Sequence, residues 1–361
     1  MTNSVEKIIT TLDNKACDYL VLSDKFKFAS YMKGIQRKSK ASAAQIIECL
    51  DQLSKEGDPN SQNLLAECYF FGYEVGEDHK KAFKLWQSAA KKDDIAQFYV
   101  GNCYYYGDGV EQDYKKAVFW FKKSAERGNP YAQEMLAECY YFGDGVKMDD
   151  VMAVFWYTKA AENQNTSAQA TLGILYYRGS GVKRDYKKAA FWFEKVAVSH
   201  NTSAQASIGM LFYNGEGVKR DYKKAAFWFE KSATEGNPFA QEMLAECYYF
   251  GNGVNKDEGK AVFWYTKASE NHNTSAQATL GMLYYNGDGV TRDYKKAVSL
   301  YEAVEDCEPA AQYGLYRCYL KGHGVKQDFD KCFEYLSLAA ISGYDDAIKE
   351  LQKIYNELES Q

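Results

Sequence analysis

The 361-residue sequence lacks features that mark several large classes of protein. Its 44 Lys and Arg residues are outnumbered by 49 Asp and Glu residues, so there is no basic surplus for a nucleic-acid partner. No apolar run approaches the roughly eighteen residues of a membrane-spanning helix, and residues 1–6 contain no basic segment ahead of an apolar one. We therefore expect no nucleic-acid partner, no membrane span, and a cytoplasmic protein.

Paired cysteines are also missing, because none of the nine cysteines forms a C-x-x-C motif or a paired Cys/His spacing. Five of them lie four residues before a recurring glycine, where three other copies of the same segment carry leucine. These cysteines are Cys68, Cys103, Cys139, Cys247 and Cys318. Since Cys exchanges with Leu there, we interpret it as a small buried apolar group and predict reduced thiols, no metal and no cofactor.

What the sequence does contain is a 36-residue period. Tryptophan recurs at this interval, and so does the first residue of a Gly-x-Gly-Val tetrapeptide. The tryptophans are Trp120, Trp156, Trp192, Trp228 and Trp264, with Trp86 one place off the grid; the glycines are Gly107, Gly143, Gly179, Gly215, Gly251 and Gly287, flanked by Gly72 and Gly322. A fixed period of this size is typical of a solenoid. We predict eight repeats over residues 58–343, an N-terminal helical cap with a degenerate half repeat over 1–57, and a C-terminal capping helix over 344–361.

Each repeat divides into two helices, A and B. In the third repeat, helix A ends at Gly143, which suits the left-handed conformation of a C-cap, and Asp149 suits the N-cap of helix B. We interpret the tryptophan of helix B as the core residue between the helices. A glutamine stands ten residues before the first glycine in all eight copies, and we interpret it as a hydrogen-bonding group between repeats. These glutamines are Gln62, Gln97, Gln133, Gln169, Gln205, Gln241, Gln277 and Gln312.

The segment SAQATLGILYYRGSGVKRDYKKAAFWFEKVA, from Ser167 to Ala197, resembles the Sel-one-like repeat. Leu-Gly, Gly-x-Gly-Val, Asp, Lys-Ala and Trp recur together and in order over about four fifths of the chain. This resemblance implies an all-α, right-handed superhelix of antiparallel helix pairs, related to tetratricopeptide arrays, that serves as a scaffold or adaptor. The first and last repeats depart from the pattern, as terminal units of solenoids commonly do.

One helical row of helix A varies while its neighbours stay constant, and we call it the helix A stripe. It lies 12, 8, 5 and 1 residues before the first glycine. The third repeat has Tyr131, Met135, Glu138 and Phe142, and the sixth, 108 residues later, has Phe239, Met243, Glu246 and Phe250; Ile174, Met210 and Met282 belong to the repeats between and after them. Aromatic and Met side chains are frequent anchors of interfaces, and the two glutamates favour a partner with basic residues. Packing between repeats is the alternative interpretation, and the sequence leaves both open.

Motifs for catalysis are missing. The Gly-x-Gly-Val loop has neither the third glycine of a dinucleotide fingerprint nor the Gly-Lys-Ser/Thr of a phosphate loop, and the four histidines fall at different repeat positions. We therefore predict no catalytic residue and a non-enzymatic interaction protein that binds a peptide or protein partner in its superhelical groove. The alternative is a single-target binder, such as a microbial host-directed factor or a toxin inhibitor or immunity protein. The oligomeric state and the role of the first forty residues stay open.

Overall fold

The protein is described by a computed structural model over residues 25–39 and 41–359, and this part of the chain contains nineteen α-helices and no strand. In chain order the helices are α1 (Lys25–Ser39), α2 (Ala43–Lys55), α3 (Pro59–Phe71), α4 (His79–Ala89), α5 (Asp94–Tyr106), α6 (Tyr114–Glu126), α7 (Pro130–Phe142), α8 (Asp150–Glu162), α9 (Thr166–Arg178), α10 (Tyr186–Ala197), α11 (Thr202–Asn214), α12 (Tyr222–Thr234), α13 (Pro238–Phe250), α14 (Glu258–Glu270), α15 (Thr274–Asn286), α16 (Tyr294–Glu302), α17 (Pro309–Lys321), α18 (Phe329–Ile341) and α19 (Asp345–Glu359). From α3 to α18, odd-numbered helices are helix A and even-numbered helices are helix B. The predicted all-α solenoid of eight helix pairs is confirmed.

The helices belong to two compact units, the first extending to Asp185 and the second beginning at Tyr186. The first contains α1 to α9 and the second α10 to α19. Within each unit, from α2 onward, each helix packs against the next one in sequence. Contacts between sequence neighbours of this kind are what a solenoid requires, since each repeat buries its apolar face against adjacent units.

The predicted helix ends are confirmed in the third repeat. Gly143 has φ +82° and its N–H donates to the carbonyl oxygen of Cys139 at 2.9 Å, and Asp144 N–H donates to the same oxygen at 3.0 Å. Helix B then begins after Asp149, whose side chain accepts from the N–H of Met152 at 3.0 Å. Two local signals therefore set the loop length, because they end one helix and start the next.

The second glycine of the loop has a different role. A Cβ at Gly253 would lie 2.0 Å from the carbonyl oxygen of Tyr222, the first residue of helix B in the preceding repeat. In the first unit, a Cβ at Gly145 would lie 2.3 Å from the carbonyl oxygen of Tyr114. The loop of one repeat thus lies directly on the start of the previous helix B, and only glycine permits this approach.

The interpretation of the tryptophans as core residues needs correction for the five on the 36-residue grid, which are only partly buried, although Trp120, Trp156 and Trp264 pack against buried clusters. The residue after each one is buried instead: Phe121, Tyr157, Phe193, Phe229 and Tyr265. These aromatics follow a buried alanine by four residues, so both side chains lie on the face of helix B that packs against helix A. Trp86 is buried, because it lies 14 residues after Gly72, just as Phe121 lies 14 residues after Gly107.

The interpretation of the recurring glutamines is confirmed for seven of the eight. Gln133 Nε2, for example, donates to the carbonyl oxygen of Ala125 in the last turn of the preceding helix B, at 3.0 Å. Gln62 makes the equivalent bond to Ser54 in the cap helix α2. Gln277 differs, since it donates to Leu300 within its own repeat. The glutamine row therefore satisfies carbonyl groups that a helix end leaves without an intrahelical partner.

The terminal helices cover the ends of the array. Phe28 and Met32 of α1 and Leu50 of α2 are buried in one cluster with Leu65 of α3. The rest of the predicted N-terminal cap, residues 1–24, lies outside the described residues. At the other end, α19 buries Ala347 and packs Leu351 and Ile354 against the last repeat. Ile348 and Tyr355, which the amphipathic pattern would also place on the packed face, are exposed.

Candidate interaction site on helix A

The stripe of the third repeat lies on α7 and is most exposed at its C-terminal end. Phe142 is 65% exposed, and its ring meets that of Tyr141 edge to face, with centroids 5.1 Å apart. Tyr131 is partly buried, with its ring 6.2 Å from the ring of Phe98 on α5. Met135 packs against the cluster of buried side chains beneath it. The packing interpretation therefore fits Tyr131 and Met135, and Phe142 is the accessible member.

A second exposed aromatic residue, which our sequence interpretation missed, occupies the position equivalent to Phe142 in the preceding repeat. Tyr106 ends α5 one residue before Gly107, is 61% exposed, and corresponds in the repeat to Phe142. Burial of its hydroxyl and the charge of Glu138 raise the pKa of Tyr106. The signal was available, because an aromatic residue directly before the first glycine occurs in both repeats. Helices α5 and α7 of the first unit thus each present an aromatic side chain close to Glu138.

The carboxyl group of Glu138 is in an unfavourable place for a charge. Burial, together with the negative charges of the neighbouring Glu134 and Asp144 carboxylates, raises the pKa of Glu138 to about 7. Glu134 accepts a hydrogen bond from Asn165 Nδ2 at 2.7 Å, and Asp144 accepts one from the Tyr105 hydroxyl at 2.8 Å. Within the described ranges, Glu138 itself has neither a hydrogen bond nor an ion pair. A cation placed against it would stabilise the ionised form and lower its pKa.

The sixth repeat, in the second unit, reproduces part of this arrangement on α13. Phe250 is 63% exposed and meets the ring of Tyr249 edge to face at 5.0 Å, and Phe239 is also exposed. Burial, followed by the charge of Glu242, raises the pKa of Glu246. Met243 is only 8% exposed and is not an accessible anchor. Its flexible side chain serves packing, as methionine often does in irregular core gaps.

The remaining members of the stripe are mixed. Ile174 on α9 is exposed, whereas Met210 on α11 is partly buried. Met282 on α15 packs against the cluster that contains Tyr265 and Leu283. The stripe therefore presents exposed aromatic side chains at the third and sixth repeats and smaller accessible groups elsewhere.

The cysteines of the described residues form no disulfide with one another. The five that exchange with leucine are buried, and burial raises the pKa of the Cys139 thiol to about 12. A thiol in this environment stays protonated at neutral pH and is a poor nucleophile. Cys307, by contrast, is exposed.

In the described residues, no three or more His, Cys, Asp or Glu side chains come together as a metal site. None of the helices in residues 25–39 and 41–359 has the length and apolar character needed to cross a membrane.

The chain belongs to the Sel1 repeat family. Eight Sel1 repeats match residues 59–94, 95–129, 130–165, 166–197, 202–237, 238–273, 274–303 and 309–344. Proteins built of Sel1 repeats act generally in protein–protein interaction, and the family is one of non-catalytic repeat scaffolds.

Solved structures of the same family resemble this chain. A protective antigen present in uropathogenic Escherichia coli, which displays an SLR fold, is 34% identical with a TM-score of 0.78, over 86% of this chain and 68% of that one. A Sel1 repeat protein from Oxalobacter formigenes is 27% identical with a TM-score of 0.63, over 87% of this chain and 92% of that one. No curated protein matches the sequence.

Proposed function

We propose that this chain is a non-enzymatic adaptor that binds a peptide or protein partner through the helix A stripe. The observation that carries the proposal is the group formed by Phe142, Tyr106 and Glu138 in the first unit. Two aromatic side chains are more than half exposed there, beside a carboxyl group that has no hydrogen-bond partner among the described residues. Interface energy concentrates in a few aromatic anchors, and these two lie at the surface next to an ionisable group that could add specificity.

The chemistry of the group specifies the partner. Aromatic side chains offer apolar contact area, and Glu138 offers a partly desolvated carboxylate that a Lys or Arg side chain would complement. We therefore expect a partner segment in which a basic residue stands beside an apolar one. Phe250 and Glu246 in the second unit would bind a segment of the same chemistry.

The partner would be captured by affinity purification with mass spectrometry, and its affinity measured by calorimetry. Phe142→Ser and Phe250→Ser should each weaken binding by more than about 1 kcal/mol, because each removes an exposed aromatic anchor. The matched control is Phe155→Ser, which changes an exposed phenylalanine on helix B of the first unit. It should bind as the wild type does.

Circular dichroism would confirm that all three variants unfold as cooperatively as the wild type. The proposal fails if Phe142→Ser and Phe155→Ser bind equally well, or if both lose affinity to the same extent. The stoichiometry of the captured complex separates two roles: a scaffold holds two or more partners at once, whereas a single-target binder forms one tight complex of one partner per chain.

A further inference from the structure

The fifth repeat contains a basic cleft at the start of α12. It has a volume of about 640 Å³, and its lining includes Phe212 of α11 and the basic residues Lys219, Arg220, Lys223 and Lys224. Gly253 of the following loop forms another part of the wall. Because this loop lies directly against the backbone of Tyr222, the wall is held close to the first turn of α12.

The fifth repeat differs from the others at one position of this cleft. Phe212 stands three residues before the first glycine, where the other seven repeats all carry tyrosine. Those tyrosines are Tyr69, Tyr104, Tyr140, Tyr176, Tyr248, Tyr284 and Tyr319. The cleft of the fifth repeat therefore lacks one hydroxyl group that each of the other repeats possesses.

The missing hydroxyl matters for the lysine opposite it. In the seventh repeat, Lys296 Nζ donates to the Tyr284 hydroxyl at 2.7 Å, and in the eighth, Lys331 Nζ donates to the Tyr319 hydroxyl at 3.3 Å. Lys224 Nζ, the equivalent in the fifth repeat, instead lies 5.0 Å from the centre of the Phe212 ring. The ring attracts the ammonium group but accepts no ordinary hydrogen bond, so the donors of Lys224 are left available.

The other cations of the cleft are equally available. The carboxylate of Asp221 caps α12 by accepting from the Lys224 N–H at 3.1 Å, and Arg220 lies over the Tyr222 ring at 5.6 Å. In the second repeat, by contrast, Lys116 Nζ forms an ion pair with Asp113 at 3.1 Å. Among the residues that the structure describes, none of the four cations lining the cleft has an ion-pair partner.

We propose that this cleft binds an anionic group, a carboxylate or a phosphate, carried by a segment of a partner protein. Four positive side chains against the single carboxylate of Asp221 leave an excess of three positive charges, on a chain whose formal net charge is −5. Charged donors form their strongest hydrogen bonds with ionised oxygen acceptors, and a local excess of one sign attracts a ligand of the other. The site is separate from the helix A stripe and does not depend on it.

The test measures fluorescence anisotropy with labelled peptides at low ionic strength. The probes are a fluorescein-labelled oligoglutamate peptide and a phosphoserine peptide of the same length, with inorganic phosphate as competitor. Both peptides should bind saturably to the full chain. Added salt should lower their affinity, because dissolved ions screen the attraction between opposite charges. Tighter binding of the glutamate peptide identifies an acidic segment as the ligand, and tighter binding of the phosphopeptide identifies a phosphorylated one.

Two variants and one control locate the site. Lys223→Glu/Lys224→Glu should lower the affinity for the tighter-binding peptide at least about tenfold, since two attractive charges become repulsive. Phe212→Tyr should weaken it about threefold, because the new hydroxyl accepts from Lys224, as the tyrosines do in the last two repeats. The control, Lys115→Glu/Lys116→Glu in the second repeat, makes the same change in charge and should bind within about twofold of the wild type.

Equal losses in the two charge-reversal variants would mean nonspecific attraction and overturn the proposal. The proposal is also overturned if Phe212→Tyr binds the peptide as tightly as the wild type does, or if neither peptide binds saturably. Phe212→Tyr is compatible with the fold, because seven repeats already carry tyrosine at this position. Phe142→Ser should bind both peptides normally, so failure of the helix A stripe and failure of this cleft would be told apart.

Discussion

The contact between Phe229 and Gly209 provides a test of the packing in the solenoid core. The effect of Gly209→Ala on stability should change sign when the Phe229 ring is removed. Phe229 of α12 is fully buried, and its ring fills the space over Gly209 of α11. A Cβ at Gly209 would lie 2.7 Å from Cε1 and 2.8 Å from Cδ1 of that ring. In the wild type, Gly209→Ala should therefore destabilise the protein by about 1–3 kcal/mol, as overpacking does.

Removal of the ring reverses this expectation. Phe229→Ala should destabilise the protein by about 3–5 kcal/mol, because it removes a buried aromatic side chain and leaves a cavity. In that background the methyl group of Gly209→Ala has room, and alanine stabilises a helix interior over glycine by about 0.5–1 kcal/mol. The same substitution should now stabilise the protein, so the two positions should be coupled by about 1.5–4 kcal/mol.

Urea denaturation of the wild type, the two single variants and the double variant, followed by circular dichroism, measures this coupling. Repeat arrays can unfold in stages, so the comparison applies to the transition that the Phe229 variants shift. Trp228→Ala is the matched control, because Trp228 is only partly buried. In that background Gly209→Ala should remain destabilising. Equal destabilisation by Gly209→Ala with and without the Phe229 ring would refute this account of the core.

Two further predictions concern ionisable side chains. The folded-state pKa of Glu138, about 7, lies above its ordinary value of 4.5, so stability should fall as pH rises from about 4.5 through 7. Glu138→Gln should accordingly melt at a higher temperature than the wild type at pH 8 and lose this advantage at pH 4, and an equal difference at both pH values would contradict it. A maleimide reagent should modify exposed Cys307 quickly in native protein and buried Cys139 only on unfolding, which peptide mapping would show. Fast native modification of Cys139 would mean that its helix face is open.

Local features of the sequence were enough to predict the repeats and their helix ends. Gly143 ends a helix because its left-handed conformation suits glycine, and Asp149 begins the next because its side chain accepts from backbone N–H groups. Neither effect depends on distant residues. The Cys and Leu exchange likewise identified a buried position, because both side chains are small enough and apolar enough for it.

The tertiary structure decided which of several similar side chains face a neighbour. Trp228 and Phe229 are adjacent on one helix, point about 100° apart, and are both large and aromatic, so periodicity alone does not say which is buried. The same holds for Met243, whose burial depends on neighbouring helices. The cleft beside Phe212 likewise depends on a loop from the following repeat. Burial and charge environment arise from side chains far apart in sequence, and only the packed array brings them together.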